Sequence, residues 1–137
     1  MSPHVRDARP LDASFLAEVE CLSWRDAYSD ILPRNTLPRM GPDRSRRWAQ
    51  RIRAGRLLVA EEEGKVCADA CFGPARAPEL LDGCAGEVYE LYVHPNRQGK
   101  GIGRQLLTRA LSTLEGNGVV WGVVEVLRDN TRGRRFY

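Results

Sequence analysis

The chain has 137 residues, 42% of them hydrophobic and 28% charged, with a formal net charge of +3. That is enough for one domain with a proper core, and the mild basicity does not by itself argue for nucleic acid, though it suits an acidic small-molecule partner. No apolar run is long enough to cross a bilayer, and His4, Arg6, Asp7 and Arg9 leave no signal-peptide core, so a cytoplasmic protein is the expectation.

Residues 5–9 read as a short edge strand, punctuated by Pro10. Asp12 can cap a helix running to about Tyr28, in which Phe15, Leu16, Val19 and Leu22 recur at helical spacing. Trp24 and Tyr28, four apart near its end, read as core or lid residues. Three prolines between 31 and 42 exclude one long helix there. A second helix is expected over 43–54, with Trp48 and Ile52 on one face. Arg44, Arg46, Arg47, Arg51 and Arg53 make the other face basic, either as a solvated surface or as a patch for an acidic acceptor or nucleic acid.

Residues 57–60 and 66–72 read as a hairpin across the polar turn 61–65. The stretch 73–86 reads as a long loop that can overhang an acceptor site. Residues 87–93 form the next strand, a central one because a glycine-rich turn follows it. The helix behind that turn carries Ile102, Leu106, Leu107, Ala110, Leu111 and Leu114 on one broad face and ends at Gly116-Asn117-Gly118. Residues 119–126 are then strand-like, and a strand–helix–strand crossover implies parallel pairing with 87–93. Asn130 starts a last segment, and residues 132–137 can be its first helical turns.

The four cysteines, Cys21, Cys67, Cys71 and Cys84, are not at zinc-ligand spacing, and His4 and His94 are the only histidines. No metal is expected, and the cysteines read as free thiols.

The turn Asn96-Arg97-Gln98-Gly99-Lys100-Gly101-Ile102-Gly103-Arg104 presents backbone amides at a helix N-terminus, with Arg97, Lys100 and Arg104 beside them. That is an anion site in the making. It is not a Walker A loop, because Lys100 is followed by Gly101, and Gly99-Lys100-Gly101-Ile102-Gly103 is GxGxG rather than the dinucleotide GxGxxG. The stretch Gln98 to Gly103 resembles the Gln/Arg-x-x-Gly-x-Gly/Ala motif of the GCN5-related N-acetyltransferases, and Leu91-Tyr92-Val93-His94-Pro95 before it is also similar to that family.

The resemblance implies a GNAT α/β fold: a mixed, mostly antiparallel sheet with a splayed parallel pair and flanking helices. It implies a single domain over 1–137, lacking the usual final helix and strand hairpin. It also implies acetyl-CoA as cosubstrate, its pyrophosphate held by Gln98, Gly99, Lys100, Gly101, Ile102, Gly103 and Arg104. The pantetheine arm would run along Leu91, Tyr92 and Val93, with Asn130 hydrogen-bonding it. Glu87 matches the general-base position of histone-acetylating members and ranks first as the base; Glu90 matches an acidic position of polyamine-type members, and His94 is a third candidate that reads more readily as structural. Three apart on a strand, the two glutamates face opposite ways unless a bulge intervenes. Tyr137 matches the tyrosine proposed as general acid. Acetyl transfer to an amine needs no cysteine or serine nucleophile, because the amine attacks the thioester directly.

The leading expectation is therefore an N-acetyltransferase acting on a small-molecule or protein amine, with a homodimer common in the resembled family. Two alternatives stand beside it. One is an acyl-CoA-binding regulatory module without turnover. The other is a basic nucleic-acid-binding protein, suggested by the arginines of 39–56 and 128–135.

Overall fold

A computed structural model describes residues 3–37, 39, 41–76, 85–118, 121–124 and 131–137. Cys84, Asn130, most of the 73–86 loop and both ends of the strand expected at 119–126 lie outside the described residues.

Five strands form one sheet in sequence order: β1 (His4–Asp7), β2 (Leu57–Glu62), β3 (Lys65–Pro74), β4 (Ala85–Val93) and β5 (Trp121–Val124). Successive pairs are antiparallel except β4–β5, which is parallel, as the crossover through a helix requires. The helices are α1 (Ala13–Tyr28), α2 (Pro42–Ala54), α3 (Ile102–Gly116) and the short α4 (Thr131–Phe136). Among the described residues, no helix is long and apolar enough to cross a membrane.

The β2–β3 turn is tighter than the polar stretch suggests. Glu63 and Gly64 carry φ of 54° and 77°, and Glu62 pairs directly with Lys65. Two consecutive positive-φ residues match the right-handed twist of the flanking strands, so a two-residue connection suffices.

Each sheet face has its own core. On one, Ile102, Leu106, Ala110 and Leu114 of α3 pack on Leu58, Ala70, Phe72 and Val88. On the other, Leu16 and Ala17 of α1 and Trp48 and Ile52 of α2 pack on Leu57, Val59 and Val66. The apolar stripes are narrower than the sequence pattern: Phe15 on α1 and Leu111 on α3 are both exposed.

Asp12 does not cap α1 with its side chain. Its carboxylate turns back to accept from the Arg9 backbone N–H (2.7 Å) and from the Arg6 guanidinium (2.9 and 3.1 Å), which also bonds Glu61. Asp12 is buried, and burial alone would raise its carboxyl; Arg6 and the Arg9 amide more than offset this and hold it below the ordinary range. A depressed native carboxyl contributes stability above its unfolded pKa and loses it as pH falls through the native value. Asp12→Ala should therefore cost about 1–3 kcal/mol at neutral pH, since it leaves a half-buried guanidinium with Glu61 as its remaining carboxylate. The gap between the urea midpoints of parent and variant should narrow as pH falls through the native value, where the folded carboxylate also takes up its proton.

Candidate active site

Register decides which groups of β4 meet. Cys71 pairs with Glu90 but Phe72 pairs with Val88, so Tyr89 is an extra residue, a β-bulge. Val88 and Leu91 consequently share the α3 face. Glu87, Glu90 and Tyr92 lie opposite Gly73, Cys71 and Asp69 on the α1–α2 face. The two glutamates, on opposite faces under simple alternation, are brought to one.

Their surroundings differ. Glu87 is 3% exposed and accepts from the Arg76 backbone N–H (3.0 Å) and Nε (2.9 Å), with a further bond from the same guanidinium. Arg76 holds its carboxyl below the usual range, against the opposing effect of burial. Glu90 is half-buried and faces the Arg51 guanidinium at 2.5 Å, which itself lies 4.2 Å over the Trp48 ring. Arg44 is likewise taken, by Glu20 at 2.6 Å, and Arg46 pairs with Asp43. Much of the basic face of α2 is thus spent on carboxylates of its neighbours.

Above this face, the Trp24 indole N–H donates to the Tyr92 hydroxyl at 2.8 Å, and the Trp24 and Tyr28 rings lie 4.7 Å apart. Burial pushes the Tyr92 hydroxyl far above its ordinary value. Trp24 also lines a groove of about 370 Å³, together with Glu20, Asn35, Thr36, Leu37, Arg39 and Arg44.

Beneath, Asp69 is wholly buried, and neither carboxylate oxygen has a hydrogen-bond partner among the described residues. Desolvation, then the nearby Glu90, pushes its carboxyl well above the usual range. Sequence reasoning missed Asp69, although an acid inside the apolar run Cys67-Ala68-Asp69-Ala70-Cys71 was the available signal.

The edge of β4 away from β3 is the second half of the site. The His94 N–H donates to Cys67 C=O at 2.7 Å. Antiparallel alternation then turns the backbone groups of Glu90, Tyr92 and His94 toward β3 and those of Leu91 and Val93 outward. The described pairing with β5 runs only from Ala85↔Trp121 to Val88↔Val124, short of both outward-facing residues. Among the described residues, Leu91 and Val93 therefore present a row of backbone donors and acceptors on the side of the sheet where β5 lies. Tyr92 contributes its side chain to the α1–α2 face instead.

The glycine turn follows at the end of this strand. Gly99 and Gly101 have φ of 79° and 84°, and a Cβ on either would meet nothing within 4 Å. Gly101 is the N-cap of α3, so the free amides of that helix open at the turn. Lys100 and Arg104 are exposed beside it, while Arg97 is held by Glu62 at 3.1 Å. Ile102 is buried in the core and so offers an anion its backbone N–H, while Gln98 donates its side-chain amide to Val93 C=O.

Gly103 has a different neighbour. A Cβ there would meet the Phe136 ring at 3.2 Å and Val93 Cγ2 at 3.5 Å. The ring of α4 thus rests on the first turn of α3 and draws the chain end toward the site. Tyr137 is 43% exposed, and partial burial and the neighbouring Tyr28 raise its hydroxyl, so it keeps its proton at neutral pH.

The matches to known proteins agree with this fold. YuaI of Bacillus subtilis, an uncharacterized N-acetyltransferase, is 32% identical over 127 residues, 92% of this chain and 72% of that protein. MnaT of Escherichia coli, an L-amino acid N-acyltransferase, is 32% identical over 117 residues, 78% of this chain but only 60% of that protein. Among solved structures, PaiA N-acetyltransferase of Thermoplasma acidophilum, determined with coenzyme A, matches with TM-score 0.76 at 21% identity over 100% of this chain and 87% of that one. yncA of Salmonella typhimurium, determined with its cofactor acetyl-CoA, matches with TM-score 0.71 at 26% identity over 98% of this chain and 76% of that one. The model of the acetyltransferase (GNAT) family matches residues 19–137, and with the strand, turn and helix disposed as described, the chain belongs to that family.

Proposed function

We propose that this chain transfers the acetyl group of acetyl-CoA to a primary amine by direct attack. The observation that carries the reading is the continuity of two features: the outward-facing row at Leu91 and Val93 leads straight into the positive-φ turn at Gly99–Gly101 and the N-terminus of α3. The turn residues fit a pyrophosphate, since no side chain stands over Gly99 or Gly101 and two exposed cations flank them. The row fits an arm that carries amides, and its N–H groups are suited to polarise a thioester carbonyl.

The proton chemistry falls to two side chains. Glu90, half-exposed beneath Trp24 and Tyr92, takes the proton of the amine. Glu87 is the weaker candidate, since Arg76 saturates its carboxylate and lowers its proton affinity. Tyr137 supplies the proton that the departing thiolate needs. The groove beside Trp24 receives the acceptor. Its lining carries Arg39 beside the Glu20–Arg44 ion pair, and that further guanidinium suits a small amine that also carries a carboxylate. The E. coli relative is named for L-amino acids, a class of that kind.

Calorimetry with acetyl-CoA tests the reading, and absence of binding by folded protein at millimolar cosubstrate overturns it. The turn glycines give a finer test. Gly101→Ala puts a Cβ into the left-handed region at a cost of about 1–2 kcal/mol. Because the amides it displaces are those of the anion site, acetyl-CoA affinity should fall about tenfold or more. Gly103→Ala meets Phe136 rather than an anion, so its main effect should be on turnover, through the displaced α4 and Tyr137. Equal losses of affinity in the two variants would remove that distinction.

A further inference from the structure

The Val93 carbonyl faces outward on the β4 edge, yet it accepts two side-chain hydrogen bonds, from Ser23 Oγ (3.0 Å) and from Gln98 Nε2 (3.1 Å). With the His94 N–H on Cys67 C=O, the peptide group between Val93 and His94 is held at three points by α1, the glycine turn and β3. A carbonyl oxygen has two lone pairs, so this one is fully used. Ser23 is buried, and no short-range feature of α1 calls for a hydroxyl there.

A strand end whose outer edge has no strand partner among the described residues frays unless it is anchored, and a frayed edge offers its donors in no fixed direction. Anchoring the last peptide of β4 keeps the Leu91 and Val93 amides in line. It also ties that line to the helix that carries Trp24, whose indole bonds Tyr92 one residue before Val93. We infer that Ser23 is a positioning residue: with Gln98 it pre-orders the end of β4 so that the arm of acetyl-CoA meets a straight row of amides. The inference rests on the proposed seating of that arm along β4.

The test separates arm from phosphate. The probes are acetyl-CoA and 3′-phospho-ADP, which keeps the pyrophosphate and lacks the arm. Their affinity ratio measures what the arm contributes. Ser23→Ala should shrink that ratio about fivefold, the weight of one net hydrogen bond, while 3′-phospho-ADP binds the variant as it binds the parent. Ser23→Thr keeps the hydroxyl and should restore the ratio. A purely structural serine would lower the melting temperature and leave the ratio unchanged, and that result overturns the inference, as does equal weakening of both probes. If the parent binds 3′-phospho-ADP as tightly as acetyl-CoA, the arm does not lie on β4 and the inference falls while the phosphate site stands. If the parent binds neither, the proposed function falls as well.

Discussion

Glu90→Gln should lower kcat by about two to four orders of magnitude and leave the acetyl-CoA dissociation constant within about twofold. Glutamine keeps the shape of the side chain and can still accept from Arg51, so packing at the α2–β4 contact is preserved. What it loses is the ability to take a proton. Turnover should recover partly at alkaline pH, where more of the amine is already neutral and a base is less needed. Glu87→Gln should behave in the opposite way. Its buried carboxylate binds the Arg76 backbone and side chain, so the variant should lose stability and keep most of its turnover. The measurement is steady-state kinetics with the amine that the parent turns over best, across pH, alongside melting curves. A Glu90→Gln enzyme with near-parental kcat, beside a folded but inactive Glu87→Gln, would reverse the two roles.

The difference between these glutamates shows which parts of the molecule were legible beforehand. The turn from Asn96 to Arg104 could be read because its glycines act locally: Gly99 and Gly101 adopt the positive φ that other residues resist. The helices α1, α2 and α3 could be read because their apolar residues recur at helical spacing, and the central place of β4 follows from the turn behind it. The common face of Glu87 and Glu90 depends on one extra residue, Tyr89, in register with a strand some twenty residues earlier. A trace of it does exist in the sequence, since Val88, Leu91 and Val93 point to one core only if the alternation slips once. Arg76 on Glu87, Arg51 on Glu90 and Phe136 on Gly103 are tertiary pairings with no local signature. Asp12 is the complementary case. Its sequence position is that of a helix cap, and the distant Arg6 and Glu61 network draws it elsewhere.

Asp69→Asn should change how stability depends on pH more than any other single substitution at the site. Asp69 is wholly buried without a hydrogen-bond partner among the described residues, and ionising it there would leave an uncompensated charge. The groups around it do not favour ionisation either. Glu90 and Tyr92 face it from β4, Glu20 from α1 and Cys71 from its own strand; Arg51 of α2 is the opposing cation, and Glu90 already engages it. The native carboxyl therefore keeps its proton well above the ordinary range, while the unfolded chain releases it near pH 4. With more protons bound in the native state, stability falls as pH rises across the window from the unfolded value to the native one. The slope is about 1.4 kcal/mol per pH unit. Asparagine has nearly the same shape and no proton to lose, so the variant should lack this slope. Its buried amide carries a cost of its own, so the informative quantity is the difference between the two profiles rather than either value alone. Urea unfolding of both proteins over a pH series rising from about 4 should show the variant gaining on the parent until the native carboxyl gives up its proton. Parallel profiles across that range would mean that Asp69 is ionised in the folded protein and has a counter-charge.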